Sequence, residues 1–210
     1  MLERIITEMQ NPVTLFNKLF SATVRSQYDI GLEDIKNLTV EEHQTTSLSQ
    51  EEREAMKRIV KENWANHPDL FPGMIATLQN PKSALTFYLL KKAGLIVAFL
   101  GASDYKNHEE EGRWVGMLNV DSLYKGNAIA TAFTKEMIAL LGQDQELFAD
   151  VFPTIDAGVM YVERLGFQIV GISDPLGTHN LAQQRLLLRR QKTGNNISEQ
   201  PARTRREAFR

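Results

Sequence analysis

Apolar positions recur at helical spacing in the first part of the chain and alternate as in strands beyond residue 84. Ile5, Ile6 and Met9 form one apolar group; after Pro12, Leu15, Phe16, Leu19, Phe20 and Val24 continue at helical intervals, so residues 1–30 read as helical. A short extended piece is expected over 38–42. Ser49-Gln50-Glu51-Glu52 then has the form of a capping box, in which the serine oxygen accepts from a backbone N–H and Glu52 reaches back. The helix it opens carries Ala55, Met56, Ile59, Val60, Asn63 and Trp64 and is limited by Pro68. A second, short helix over 72–79 ends at Asn80-Pro81.

Residues 84–90 and 94–102 read as two strands joined by Lys91-Lys92-Ala93, with Gly94 available for positive φ. Residues 106–112 read as a charged loop. The next strand, 113–121, sets Trp114, Gly116, Leu118 and Val120 against Val115, Met117 and Asn119 by strict alternation. A helix over 128–141 presents Ile129, Ala132, Phe133, Met137, Ile138 and Leu141 on its inner stripe and stops at Gly142. A strand over 147–152, a helix over 155–165 stopped by Gly166, a strand over 167–172 and a last strand over 181–190 complete the series. The expected class is mixed α/β: a central mixed sheet, antiparallel in its first half and flanked by helices. Within it, 113–121, 128–141 and 147–152 form a parallel, right-handed βαβ unit.

Composition divides the chain into a helical extension (1–33), a main domain (34–190) and a polar tail (191–210) expected to be mobile. The tail has five basic and two acidic residues, yet the whole chain has a net charge of −2. That balance argues against a nucleic-acid partner. The chain has no cysteine, which excludes disulfides and thiolate chemistry. Its longest apolar runs fall far short of a membrane span, and no leader pattern opens it, so a cytoplasmic protein without a membrane partner is expected.

Chemistry concentrates at the turn after strand 113–121. Lys125-Gly126-Asn127-Ala128-Ile129-Ala130 places small residues at 126, 128 and 130, where a helix begins. The first N–H groups of a helix lack internal partners, and with the positive end of its dipole they suit a pyrophosphate. Small residues at such a turn also serve tight packing. Further on, Ala157, Tyr161, Gly166 and Phe167 run from a helix into a strand. Packing explains Ala157, Gly166 and Phe167, and explains Tyr161 less well.

Element order, turn and helix together resemble the GNAT superfamily of acetyl-CoA-dependent N-acetyltransferases, over roughly residues 38–190. The turn resembles the family's Arg/Gln-x-x-Gly-x-Gly/Ala loop, with Lys125 where Arg or Gln is usual and Ala128 where Gly is usual. The second segment is similar to its Asn-x-x-Ala-x-x-x-Tyr-x-x-x-Gly-Phe signature, with Thr154 where Asn is common. The resemblance implies a GNAT-like acyltransferase that moves an acetyl group from acetyl-CoA to a primary amine on a small molecule or peptide. It implies cofactor contacts from Leu118, Val120, Lys125, Gly126, Asn127, Ala128, Ile129, Ala130, Thr154 and Ala157, and Tyr161 as the general acid for the departing thiolate. The family often takes its base from a Glu on the strand equivalent to 113–121. That strand has none here, leaving Asp121 as the nearest carboxylate, with His108, Glu109, Glu110 and Glu111 in the preceding segment.

The scattered His43, His67 and His179 lack metal-ligand spacing, and no metal is expected. A homodimer is left open. The alternative reading is a GNAT-like binding or interaction module with relaxed cofactor use. It rests on Ala128, the missing strand Glu and the apolar N-terminal stripe.

Overall fold

A computed structural model describes residues 38–65, 71–80, 82–107, 110–125, 128–151, 160–173 and 185–193. The helical extension at 1–33, most of the tail, and the site candidates Gly126, Asn127, Thr154 and Ala157 lie outside the described residues.

Among the described residues, seven strands form one mixed sheet in the order β1-β2-β3-β4-β5-β7-β6. They are β1 (Leu38–Gln44), β2 (Thr86–Lys92), β3 (Leu95–Asn107), β4 (Glu110–Val120), β5 (Leu147–Val151), β6 (Gln168–Ser173) and β7 (Arg185–Arg190). β1 to β4 are antiparallel neighbours, and β4 pairs with β5 in parallel around helix α3 (Ala128–Leu141). The other α-helices among the described residues are α1 (Gln50–Asn63) and α2 (Phe71–Gln79). The mixed α/β architecture expected from the alternation is the one observed.

Each face of the sheet has its own core. Tyr88, Leu90, Leu100, Val115 and Ala149 pack with Phe133, Met137 and Ile138 of α3. Phe87, Leu89 and Phe99 pack with Met56, Ile59 and Val60 of α1 and Leu78 of α2. β2 is thus buried on both faces, with Phe87, Leu89 and Leu90 wholly enclosed, and it reads as an unbroken apolar run. The capping box of α1 forms as its residues require. Glu52 N–H donates to Ser49 Oγ at 3.1 Å, and Ser49 N–H to Glu52 Oε2 at 2.7 Å.

Three local expectations are corrected. The first is the hairpin turn, which is Ala93-Gly94, with φ of 50° and 83°, rather than Lys91-Lys92-Ala93. Two residues at positive φ match the twist of the flanking strands, so both lysines join β2. Lys91 is then buried, its ammonium 2.6 Å from Glu41 Oε2 and 2.7 Å from Glu52 Oε1.

The second is the charged segment at 106–112, whose described residues are ladder rather than loop, with Lys106 opposite Glu111 and Asn107 opposite Glu110. Lys106 Nζ lies 2.7 Å from Glu111 Oε1, and Arg189 Nη1 3.2 Å from Glu110 Oε1. Such opposite-charge pairs stabilise extended strands that an apolar pattern does not reveal.

The third is β4, which does not alternate strictly. Two steps on β3, from Phe99 to Gly101, face three on β4, from Asn119 to Gly116, and Met117 takes φ 51°. This bulge puts Trp114 and Met117 against the α1 core, while Leu118 and Val120 join Val115 against α3.

Gly112 marks where β4 meets the segment entering β5. A Cβ there would stand 2.5 Å from the carbonyl oxygen of Glu146 and 2.9 Å from the Phe148 ring. Because the nearest obstacle is backbone, Gly112→Ala is expected to cost about 1–3 kcal/mol. The check is a urea denaturation curve, and an unchanged midpoint would contradict this packing.

Candidate active site

β4 and β5 are paired only at Arg113–Leu147 and Trp114–Phe148 among the described residues. Beyond Trp114 the bulged end of β4 is without β5 as a ladder partner, whereas β5 continues along β7 as far as Val151–Leu186. A cavity of about 590 Å³ lies at this parting. The bulge residues Gly116, Met117 and Leu118 line it together with Asp150, Tyr161 and Arg185, and α2 contributes Met74.

Tyr161 is placed by a π turn (Met160–Arg164) and by the helix end that follows. Gly166 has φ 74°, and Phe167 N–H donates to the Tyr161 carbonyl at 3.1 Å. Counted from Tyr161 this bond closes seven to one, one residue wider than the six-to-one Schellman arrangement, in keeping with the π turn it ends at glycine. The Tyr161 ring packs edge-to-face on Phe167, with centroids 5.2 Å apart, and is 3% exposed. Burial pushes its phenol well above the ordinary range, so it keeps its proton at neutral pH. Packing and cavity are therefore not alternatives for this residue: the ring belongs to the core and the side chain also lines the cavity.

Asp121 is buried at the end of β4. Its Oδ2 accepts from Arg58 Nη2 at 2.5 Å, and its Oδ1 from Leu123 N–H at 2.9 Å, which caps the short turn Ser122–Tyr124. Burial alone would raise its carboxyl. The hydrogen bonds from Arg58 and Leu123 and the Arg58 charge outweigh burial and hold the carboxyl below its usual value. Asp121 is absent from the described lining of the cavity. It organises the turn that leads into α3.

Leu118 lines the cavity, and Leu118 and Val120 pack against the α3 core. Lys125 is exposed just before α3, whose first turn starts with the backbone of Ala128, Ile129 and Ala130. Of the candidates in the preceding segment, Glu110 pairs with Arg189 and Glu111 with Lys106, while His108 and Glu109 lie outside the described residues.

Sequence reasoning missed Asp150 and Arg185. β5 reads Leu147-Phe148-Ala149-Asp150-Val151, and its alternation puts Asp150 on the face of Phe148. A lone carboxylate inside an otherwise apolar strand was the signal available. Trp114 Nε1 donates to Asp150 Oδ2 at 3.3 Å, while the buried Oδ1 has no hydrogen-bond partner. Burial lowers the Arg185 guanidinium, and the nearby Asp150 charge opposes that shift.

Glu41, His43 and Glu52, from β1 and α1, come close enough to hold an ion. The Lys91 ammonium already sits on Glu41 Oε2 and Glu52 Oε1. The same oxygens serve an ion pair.

No family model and no curated protein matches the sequence. Solved structures do match it. A protein assigned to the GNAT family of acetyltransferases from Desulfovibrio desulfuricans aligns with a TM-score of 0.54 at 12% identity, over 73% of this chain and 99% of that one. The histone acetyltransferase HPA2 and related acetyltransferase from Corynebacterium glutamicum gives 0.53 at 16% identity, over 74% and 97%. An acyl-CoA N-acyltransferase from Pseudomonas aeruginosa gives 0.52 at 15% identity, over 73% and 99%. The chain has the GNAT fold. Within the GNAT fold described here, the parting of β4 and β5, the bulge and Tyr161 meet at one cavity.

Proposed function

We propose that this chain is an N-acetyltransferase that moves an acetyl group from acetyl-CoA to a primary amine on a small molecule or peptide. The observation that carries the reading is the meeting of Tyr161 with the bulged, unladdered end of β4 at one cavity. The residues present fit an acyl-CoA. β4 beyond Trp114 offers backbone groups that β5 does not take, and the start of α3 offers amides without helical partners. Leu118 and Val120 on β4, Lys125 to Ala130 at the turn, and Thr154 and Ala157 would hold it. When bound, acetyl-CoA supplies the thioester carbonyl and a thiolate leaving group.

Tyr161 holds the proton that a departing thiolate needs. Burial raises its pKa, which keeps it protonated before reaction and also makes it a weaker proton donor than an ordinary phenol. Asp121, proposed from the sequence as a base, is already engaged by Arg58 and the Leu123 amide. It is better read as setting the turn at the start of α3 than as taking a proton. That engagement is also what favours the second reading, a GNAT-like binding module with relaxed catalysis.

Calorimetric titration with acetyl-CoA, followed by a thiol-release assay over a panel of amines, tests both readings. Binding with turnover supports the enzyme. Failure to bind at millimolar acetyl-CoA removes it, and partner binding without turnover favours the module. No described helix is long and apolar enough to cross a membrane, and the cytoplasmic setting stays part of this proposal.

A further inference from the structure

The cavity wall joins one carboxylate to an apolar surround. Asp150 is the acidic residue among the described lining, and Arg185 its guanidinium. The bulky apolar part of the remaining wall is Trp64, Met74, Leu85, Trp114, Met117 and Leu118, and Thr77, Ser83 and Ser103 add neutral hydroxyls. Carboxylates set among such side chains are normally saturated with donors, because an unsatisfied buried oxygen is costly. Asp150 is not saturated. Its Oδ2 receives one long hydrogen bond, 3.3 Å from Trp114 Nε1, and its buried Oδ1 receives none. An ionised carboxylate can accept about four hydrogen bonds, so most of this acceptor capacity is unused.

Neighbouring residues hold Asp150 in place. β5 is laddered to β7 directly at Asp150, opposite Leu187, and Phe148, two residues back on the same face, stacks on Tyr105 with ring centroids 4.1 Å apart. The carboxylate is therefore carried on a rigid strand. Tyr161 lines the same cavity.

We infer that Asp150 is the residue that receives the acceptor's amino group, and that the acceptor is a monoamine carried on an aromatic or bulky apolar stem. This deepens the proposed acetyl transfer and rests on it. An ammonium group brings up to three donors to the unused acceptor sites of Asp150, and a charge-assisted hydrogen bond is roughly twice as strong as a neutral one. The stem meets the indole rings of Trp64 and Trp114 and the thioethers of Met74 and Met117, a surface that rewards flat or branched hydrocarbon. A polyamine is disfavoured, since its second ammonium would find apolar side chains, neutral hydroxyls or the Arg185 cation rather than another described carboxylate.

The test compares the full chain with Asp150→Asn and Asp150→Glu, using 2-phenylethylamine and spermidine as probes. Binding of 2-phenylethylamine is first measured by calorimetry without cofactor, and transfer kinetics follow with acetyl-CoA. Asp150→Asn is expected to weaken 2-phenylethylamine binding and raise its KM roughly 10–100-fold, the worth of hydrogen bonds to a charged group. The KM for acetyl-CoA should be unchanged, and Asp150→Glu should recover part of the loss. Circular dichroism melts of both variants confirm that they fold. Equal amine binding by wild type and Asp150→Asn would overturn the inference, as would a preference for spermidine over 2-phenylethylamine. Loss of acetyl-CoA binding in the wild type would instead remove the proposed transferase, while the cofactor-free amine titration still decides the role of Asp150.

Discussion

Tyr161→Phe is expected to lower kcat for acetyl transfer roughly 10²–10⁴-fold, the usual worth of one positioned proton-transfer group. The ring stays, so its edge-to-face packing on Phe167 and its place in the core are retained. Acetyl-CoA affinity should therefore change little, and the melting temperature should shift by no more than the loss of one hydrogen bond of about 1 kcal/mol would give. Rates at saturating acetyl-CoA and amine, measured beside a thermal melt, separate the outcomes. A near-normal kcat would make Tyr161 a packing residue and withdraw the proton-donor role. A large fall in stability would show that the hydroxyl itself serves the fold.

Lys91→Ala is expected to destabilise the chain by about 2–3 kcal/mol at neutral pH. Removing one member of a buried ion pair commonly costs more than that, but Glu41 is 42% exposed at its side chain and can turn to water. Glu52 is 14% exposed and is held by its place in the capping box, so it bears most of the loss. In the wild type, burial alone would raise the Glu52 carboxyl. The hydrogen bonds from Lys91 and from Ser49 N–H, with the His43 and Lys91 charges, outweigh burial and hold it below its ordinary 4.5. A carboxyl depressed in the folded state contributes stability above its unfolded pKa and loses it as pH falls through the folded value. The wild type should thus lose stability as pH drops below 4.5. The variant, whose Glu52 keeps its burial but loses the cation, should lose less. Urea midpoints across the acid range should show the two chains converging. A gap independent of pH would assign the loss to the lysine's methylenes and not its charge.

What was legible in the sequence was what is encoded locally. Ser49 and Glu52 are three residues apart and predict their own reciprocal hydrogen bonds. Gly166 carries the conformation that ends its helix, and the both-sides burial of β2 follows from its unbroken apolar run. The errors arose where partners come from far along the chain or where charge masks period. Arg58 and Asp121 are 63 residues apart, so the ion pair that engages the expected base had no local signature. Lys106 and Glu111 look like solvated loop until they are seen opposite one another in a ladder. The vacant acceptor sites of Asp150 were invisible because a hydrogen-bond deficit belongs to packing and not to spacing. The helical reading of 1–30 falls outside the described residues and is still an expectation.

The extra residue in β4 works as a phase shifter between the two cores. Upstream of it Val115 faces α3; downstream, Asn119 faces α1, where its Oδ1 accepts from Trp64 Nε1 and Asn63 Nδ2, both at 3.1 Å. Forcing 116–118 into regular alternation at constant length would turn Asn119 toward α3, burying an amide among apolar side chains and depriving two donors of α1 at once. The kink at Met117 is therefore what reconciles a strand of this length with both cores. A change of residue at Met117 to glycine or asparagine, both at ease with φ near 51°, keeps that kink, whereas a β-branched residue there strains it.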